Sequence, residues 1–113
     1  MANFYKNAFY DPSTTDAVTL YTCPTNANAI IQNIQITNTG GSAIVRAYVF
    51  DSSNSNTATQ IAYANISGPT ICNIAKGPII LEESDTLVLS STSNTTVSGT
   101  VSILEVNRGL IQQ

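Results

Sequence analysis

Glu82-Glu83-Ser84-Asp85 is the one local cluster of carboxylates in the chain. Two carboxylates held at a suitable separation in a cleft can do acid–base work on a glycosidic bond. Here they are neighbours in a polar turn, where water solvates them. Neither an opposing nucleophile nor a sugar-stacking Trp accompanies them. Asp51-x-Ser53-x-Ser55 opens like a calcium loop, but Asn56 stands where the sharp turn needs Gly and Ala62 where the bidentate Glu belongs. It reads better as the polar tip of a hairpin. Gly40-Gly41-Ser42 lacks the G-x-S-x-G frame of a nucleophile elbow, and Lys6 and Lys76 have no Ser-Lys motif around them. The chain has no His, which removes Ser-His-Asp and Cys-His nucleophiles and the commonest zinc sites. Cys23 and Cys72 could form one inter-sheet disulfide, or serve as two small buried hydrophobes, the reading a reducing compartment favours. These residues predict no enzyme, cofactor, metal or small-molecule substrate.

Composition points to contact instead. Only 10% of the 113 residues are charged, against about 25% in an ordinary domain, while 39 are Ser, Thr or Asn. Hydrophobic residues still reach 42%, enough for a core. The net charge is −3, and the four cations Lys6, Arg46, Lys76 and Arg108 are scattered, so the clustered positive charge of a nucleic-acid binder is missing. No apolar run is long enough for a membrane span, and the first ten residues have no apolar core of signal-peptide type. That predicts a protein made in a cytoplasm.

The elements that would carry these residues are strands. Ile, Val and Thr are abundant, and Glu, Lys, Arg and Met, the raw material of surface helices, are scarce. Alternation predicts eight strands, at 17–23, 29–38, 43–51, 59–66, 70–74, 78–81, 86–91 and 95–106. In 29–38, Ile30, Ile34 and Ile36 are expected on one face, and Ile31 with Asn33, Gln35 and Thr37 on the other. Both faces of 43–51 carry large apolar groups, which predicts cover on each side. Thr39-Gly40-Gly41-Ser42 predicts a tight hairpin, and Gly99 a bulge or a close approach. With no helix to make parallel crossovers, the fold class is all-β. The architecture expected is an antiparallel β-sandwich, jelly roll first and immunoglobulin-like second.

Both ends are expected to lie outside this sandwich, assigned to residues 17–107. Residues 1–16 form an N-terminal extended arm with Phe4, Tyr5, Phe9 and Tyr10, half of the aromatic residues. Such an arm docks on a partner or folds back over its own sheet edge. Residues 108–113 form a short tail with Leu110 and Ile111.

The run Ile79-Ile-Leu-Glu-Glu-Ser-Asp-Thr-Leu87, the Thr/Ser-rich turn after it and the closing Val101-Ser-Ile-Leu-Glu-Val106 resemble small structural proteins of tailed bacteriophage virions. Ile34-Gln-Ile-Thr-Asn-Thr39 before a small-residue turn fits the same plan, although Ser84 stands where those proteins often have Gly. The resemblance implies a non-enzymatic virion component: a capsid decoration (cement) protein that binds major capsid protein, or a neck or tail subunit. Together with the composition it predicts a homo-oligomer in the virion. Phe4, Tyr5, Phe9, Tyr10, Leu110 and Ile111 are the expected contact residues. A carbohydrate-binding module using Ser52–Thr57 with Tyr48 or Tyr63 is the alternative.

Overall fold

The computed structural model describes residues 2–107, which form nine strands and no α-helix. They are β1 (Ala2–Tyr10), β2 (Val18–Thr22), β3 (Ala27–Asn38), β4 (Ser42–Asp51), β5 (Thr57–Ser67), β6 (Thr70–Asn73), β7 (Ile79–Leu81), β8 (Thr86–Ser91) and β9 (Val97–Asn107). Eight match the alternation in the sequence, within two residues at each boundary. Two antiparallel sheets result. The first runs β1-β9-β3-β6, with β7 also paired to β3, and the second runs β2-β8-β4-β5. The chain crosses repeatedly between sheets, and β9 inserts between β1 and β3 just as β8 inserts between β2 and β4. That interlocked order is a jelly roll.

Inward-facing Ile, Leu, Val and Ala from both sheets make the core. Ile31, Ile34 and Ile36 of β3 and Val101 and Ile103 of β9 are enclosed with Val45 and Ala47 of β4 and Leu87 and Leu89 of β8. Each such branched side chain contributes about 1.5–3 kcal/mol by leaving water. Gly99 is a close approach without a bulge. It pairs with Ile36 in unbroken register, and a Cβ there would come within 2.8 Å of the Gln35 carbonyl oxygen.

Three expectations are corrected. The expected arm is largely part of the sandwich. Residues 2–10 are β1, paired with β9 from Ala2↔Asn107 to Tyr10↔Gly99. The pairs Phe4-Tyr5 and Phe9-Tyr10 hide a two-residue period, because each pair sends one ring to each face. Second, residues 39–42 do not close a hairpin. They carry the chain from β3 in one sheet to β4 in the other, and neither glycine there has a positive φ. Asn38, fully buried, fixes this corner. Its Nδ2 donates to the Ile66 carbonyl at 2.8 Å, and its Oδ1 accepts from the Gly40 N–H at 3.1 Å. Third, Ile31 faces the core and Ile30 faces out, because the β3–β9 register shifts between Ile31 and Asn33. The extra residue at Gln32 inverts the alternation on its N-terminal side. Leu110, Ile111 and the rest of the tail at 108–113 lie outside the described residues.

Candidate interaction surface

Directly opposed residues in an antiparallel pair point to the same face, so the register assembles the outer surface of the first sheet row by row. Tyr5 of β1 opposes Leu104 of β9, Leu104 opposes Ile30 of β3, and Ile30 opposes Ile80 of β7. These four side chains form an apolar row across four strands. Its ends are the most open, Tyr5 at 80% and Ile80 at 66% exposure, while Leu104 and Ile30 are half-buried. Asn7, Ser102 and Asn33 make the row on one side, and Asn3, Val106 and Asn28 the row on the other. Beyond the first of these lie Phe9, Thr100, Gln35 and Asn73, with Phe9 70% exposed. None of these outward residues is charged. An apolar row framed by amides and hydroxyls, with no charge to desolvate, suits contact with another protein surface.

The expected contact residues therefore divide. Tyr5 and Phe9 project from the outer face. Phe4, 50% exposed, opposes Glu105 on the inward face at the sheet's rim. Tyr10 is 1% exposed inside the core, where burial pushes its phenol up to about 12, so it offers nothing to a partner. Ile30, Ile80 and Leu104 belong to this outward apolar row, and sequence reasoning missed them. Their signal was the alternation on β9 and β3, unreadable until the Gln32 irregularity was placed.

An inward carboxylate holds β1 in position. Glu105 is 3% exposed between the sheets. It receives hydrogen bonds from the Tyr21 hydroxyl of β2 and from Asn107 Nδ2 at 3.1 Å, and it pairs with Lys6 Nζ at 3.1 Å. Burial alone raises the pKa of such a group, but the donors Tyr21, Asn107 and Lys6 outweigh it and hold the carboxyl below its usual range. The Tyr21 phenol is driven upward by burial and by the same carboxylate. Glu105 thus ties β1, β9 and β2 at one edge of the sandwich.

The residues that first suggested chemistry have structural duties here. Asp85 is buried and accepts from Ser52 N at 3.0 Å, Ser52 Oγ at 3.2 Å and Glu82 N at 2.9 Å. Glu83 accepts from Asn26 N at 2.7 Å. Ser84 keeps the left-handed backbone that Gly takes most readily, with φ 69°. These loops border a polar cavity of about 460 Å³ lined by Asn28, Ser52, Ser53, Glu82, Glu83 and Ser84. Asp51 caps the short 3-10 turn Ser52–Asn54 at the tip of the β4–β5 hairpin, accepting from Ser53 N at 3.1 Å. No group of acidic or thiol side chains among the described residues could hold a metal ion. No disulfide joins Cys23 to Cys72. Of the cations, Lys6 pairs with Glu105 and Arg46 lies 5.2 Å above the ring of Tyr63. No helix among the described residues is long and apolar enough to cross a membrane.

No protein-family model matches the chain, and no curated protein matches it in sequence. Solved structures do match in shape. A subunit of the Bacillus endospore appendages, described as a family of disulfide-linked pili, superimposes with a TM-score of 0.54 at 10% identity, over 95% of this chain and 89% of that one. A chain of infectious bursal disease virus, Gx strain, superimposes with a TM-score of 0.54 at 11% identity. There the match covers 96% of this chain but 31% of the viral one, so the present sandwich corresponds to about a third of that protein. At such identities the likeness is one of fold: this chain has the β-sandwich also found in a virus and in a pilus.

Proposed function

We propose that the chain is a non-enzymatic virion structural protein of the capsid decoration type, binding an assembled shell through the outer face of its first sheet. The observation that carries this reading is the apolar row Tyr5–Leu104–Ile30–Ile80, flanked among the described residues by uncharged side chains. A subunit that binds only the assembled shell stabilises it by mass action, and many copies bridging neighbours add modest contacts into a large total. The resemblance of 79–106 to small phage structural proteins supports the reading, as does the sharing of this fold with subunits of a virus and of a pilus. A neck or tail position would use the same surface in fewer copies.

The carbohydrate-binding alternative needs an open aromatic platform. Tyr48 is half-buried on β4, and Tyr63, though 55% exposed, has Arg46 over one face of its ring, which leaves at most one ring face for stacking.

The test is binding to purified shells of the parent particle. Ile80→Asp places a charge at an exposed end of the row without touching the core. It is expected to weaken shell binding by about 100-fold or more while leaving the melting temperature within a few degrees. Unchanged binding by this variant would sink the proposal. Copy number in the purified particle separates the positions, since hundreds mean the shell and about a dozen or fewer mean neck or tail.

A further inference from the structure

The two sheets of this sandwich end in four edges, and three are blunted by the devices that keep strands from pairing with other chains. On β2 the register with β8 breaks between Thr19 and Tyr21, so Leu20 is an extra residue. On β5 the register with β4 breaks in the same way, leaving Ile61 extra. The edge beyond β3 is divided between β6 and β7, of four and three residues. The fourth edge differs in every respect. β1 is nine residues long, pairs with β9 without any shift of register, contains no Pro, and among the described residues has no strand on its other side. It also carries Phe4, Tyr5 and Phe9, three of the most exposed large hydrophobic residues described. Its single charge, Lys6, is matched by Glu105 of the same copy.

We infer that two copies of this chain join through the free edges of β1, antiparallel about a two-fold axis at Asn7, so that one sheet runs across both. The choice of a second copy rests on self-complementarity. With Asn7 opposite Asn7 of the other copy, Tyr5 of each copy faces Phe9 of the other on the outer face, twice over. Phe4 comes opposite the backbone of Tyr10, whose ring stays in its own core, and Lys6 opposite Ala8. Shifting the axis to Lys6 would set the two ammonium groups against each other and break both aromatic pairs. Each aromatic side chain offers about 150–250 Å². At the observed exposures the three leave roughly 400 Å² per copy to be covered, in addition to the main chain. That places the pair near the small end of stable interfaces, about 1,200 Å² in total, and makes it a reversible dimer with a dissociation constant in roughly the micromolar range.

The inference does not require a shell and is tested without one, so its failure and that of shell binding are separate results. Sedimentation equilibrium of the full chain over a wide concentration range should show a reversible transition from 12.0 kDa to twice that mass. The register is tested by charge. Y5K/F9K sets Lys against Lys at both contacts and is expected to raise the half-dimer concentration at least about 100-fold. Y5K/F9E sets Lys against Glu at both contacts and is expected to bring the dimer back. Both positions are exposed, and circular dichroism with a thermal melt confirms that each variant is folded. Ile80→Asp, three strands from the edge, should leave the dimer intact. A wild-type chain that stays monomeric at all concentrations overturns the inference. So does a Y5K/F9K variant that dimerises like the wild type, or a Y5K/F9E variant that dimerises no better than Y5K/F9K.

Discussion

A carboxylate on the inward face of a sheet destabilises the fold unless donors surround it, and Glu105 has three. Its pKa is lower in the folded chain than in the unfolded one, so unfolding takes up a proton as acid is added. The stability it contributes is therefore complete above the ordinary value of 4.5 and is lost as the pH falls through the lower folded value. Glu105→Gln keeps the size but removes the charge, leaving the Lys6 ammonium without its counter-ion. This variant is expected to cost about 1–2 kcal/mol near neutral pH and to lose less further stability than the wild type between about pH 5 and about pH 3. Chemical denaturation across that range would show parallel curves if Glu105 had no such role. In the sequence this residue sits in an ordinary alternating strand, between Leu104 and Val106. Its partners come from residues 6, 21 and 107, and only the folded sheets bring them together.

At the level of elements, β1 changes what a truncation means. Tyr10 and Pro12 are buried, and β1 pairs with β9 from Asn107 to Gly99, so the N-terminal segment is structural as well as exposed. A chain lacking residues 1–10 is expected to lose its cooperative thermal transition rather than to persist as a folded sandwich without an arm. A cooperative melt within a few degrees of the wild type would show that β1 is dispensable. Strand by strand, the sequence was readable where Val and Ile alternate with Ser, Thr and Gly, as in β9, and where a run of β-branched, aromatic and Leu residues is closed by polar turns, as in β4 and β8. It was unreadable in β1, where aromatic residues come in adjacent pairs, and on β3, where one extra residue at Gln32 exchanges the faces of Ile30 and Ile31. The crossing at 39–42 was also hidden. Small residues there fit a hairpin equally well, and the deciding group is the buried Asn38 side chain, bonded to Ile66 in the other sheet.

For the whole molecule, the shortage of charge acquires a location. Four cations and seven anions serve 113 residues, and none of those among the described residues lies in the strands' outward rows on the first sheet. Association through that face should respond weakly to salt, because there are no ionic contacts to screen. Shell affinity measured from about 0.05 to about 0.5 M salt is expected to change by less than about threefold. A steep decline would assign binding to the acidic loops instead. The row Tyr5–Leu104–Ile30–Ile80, spread over four separate stretches of sequence, shows why no local motif announced it.

The place of β9 has a consequence for how the subunit is made. It is the last strand described, yet it lies between β1 and β3, the first and third. A chain emerging from the ribosome can form the β4–β5 hairpin early, but β3 has no long partner until residues 97–107 have been synthesised. Closure of the first sheet is therefore a late, long-range event, of the kind that folds in milliseconds to seconds rather than microseconds. Until then β1 has no neighbour and its aromatic residues have no face to occupy. The outward apolar row and the open edge of β1 come into being in the same step as the finished fold, so a partly made chain presents neither.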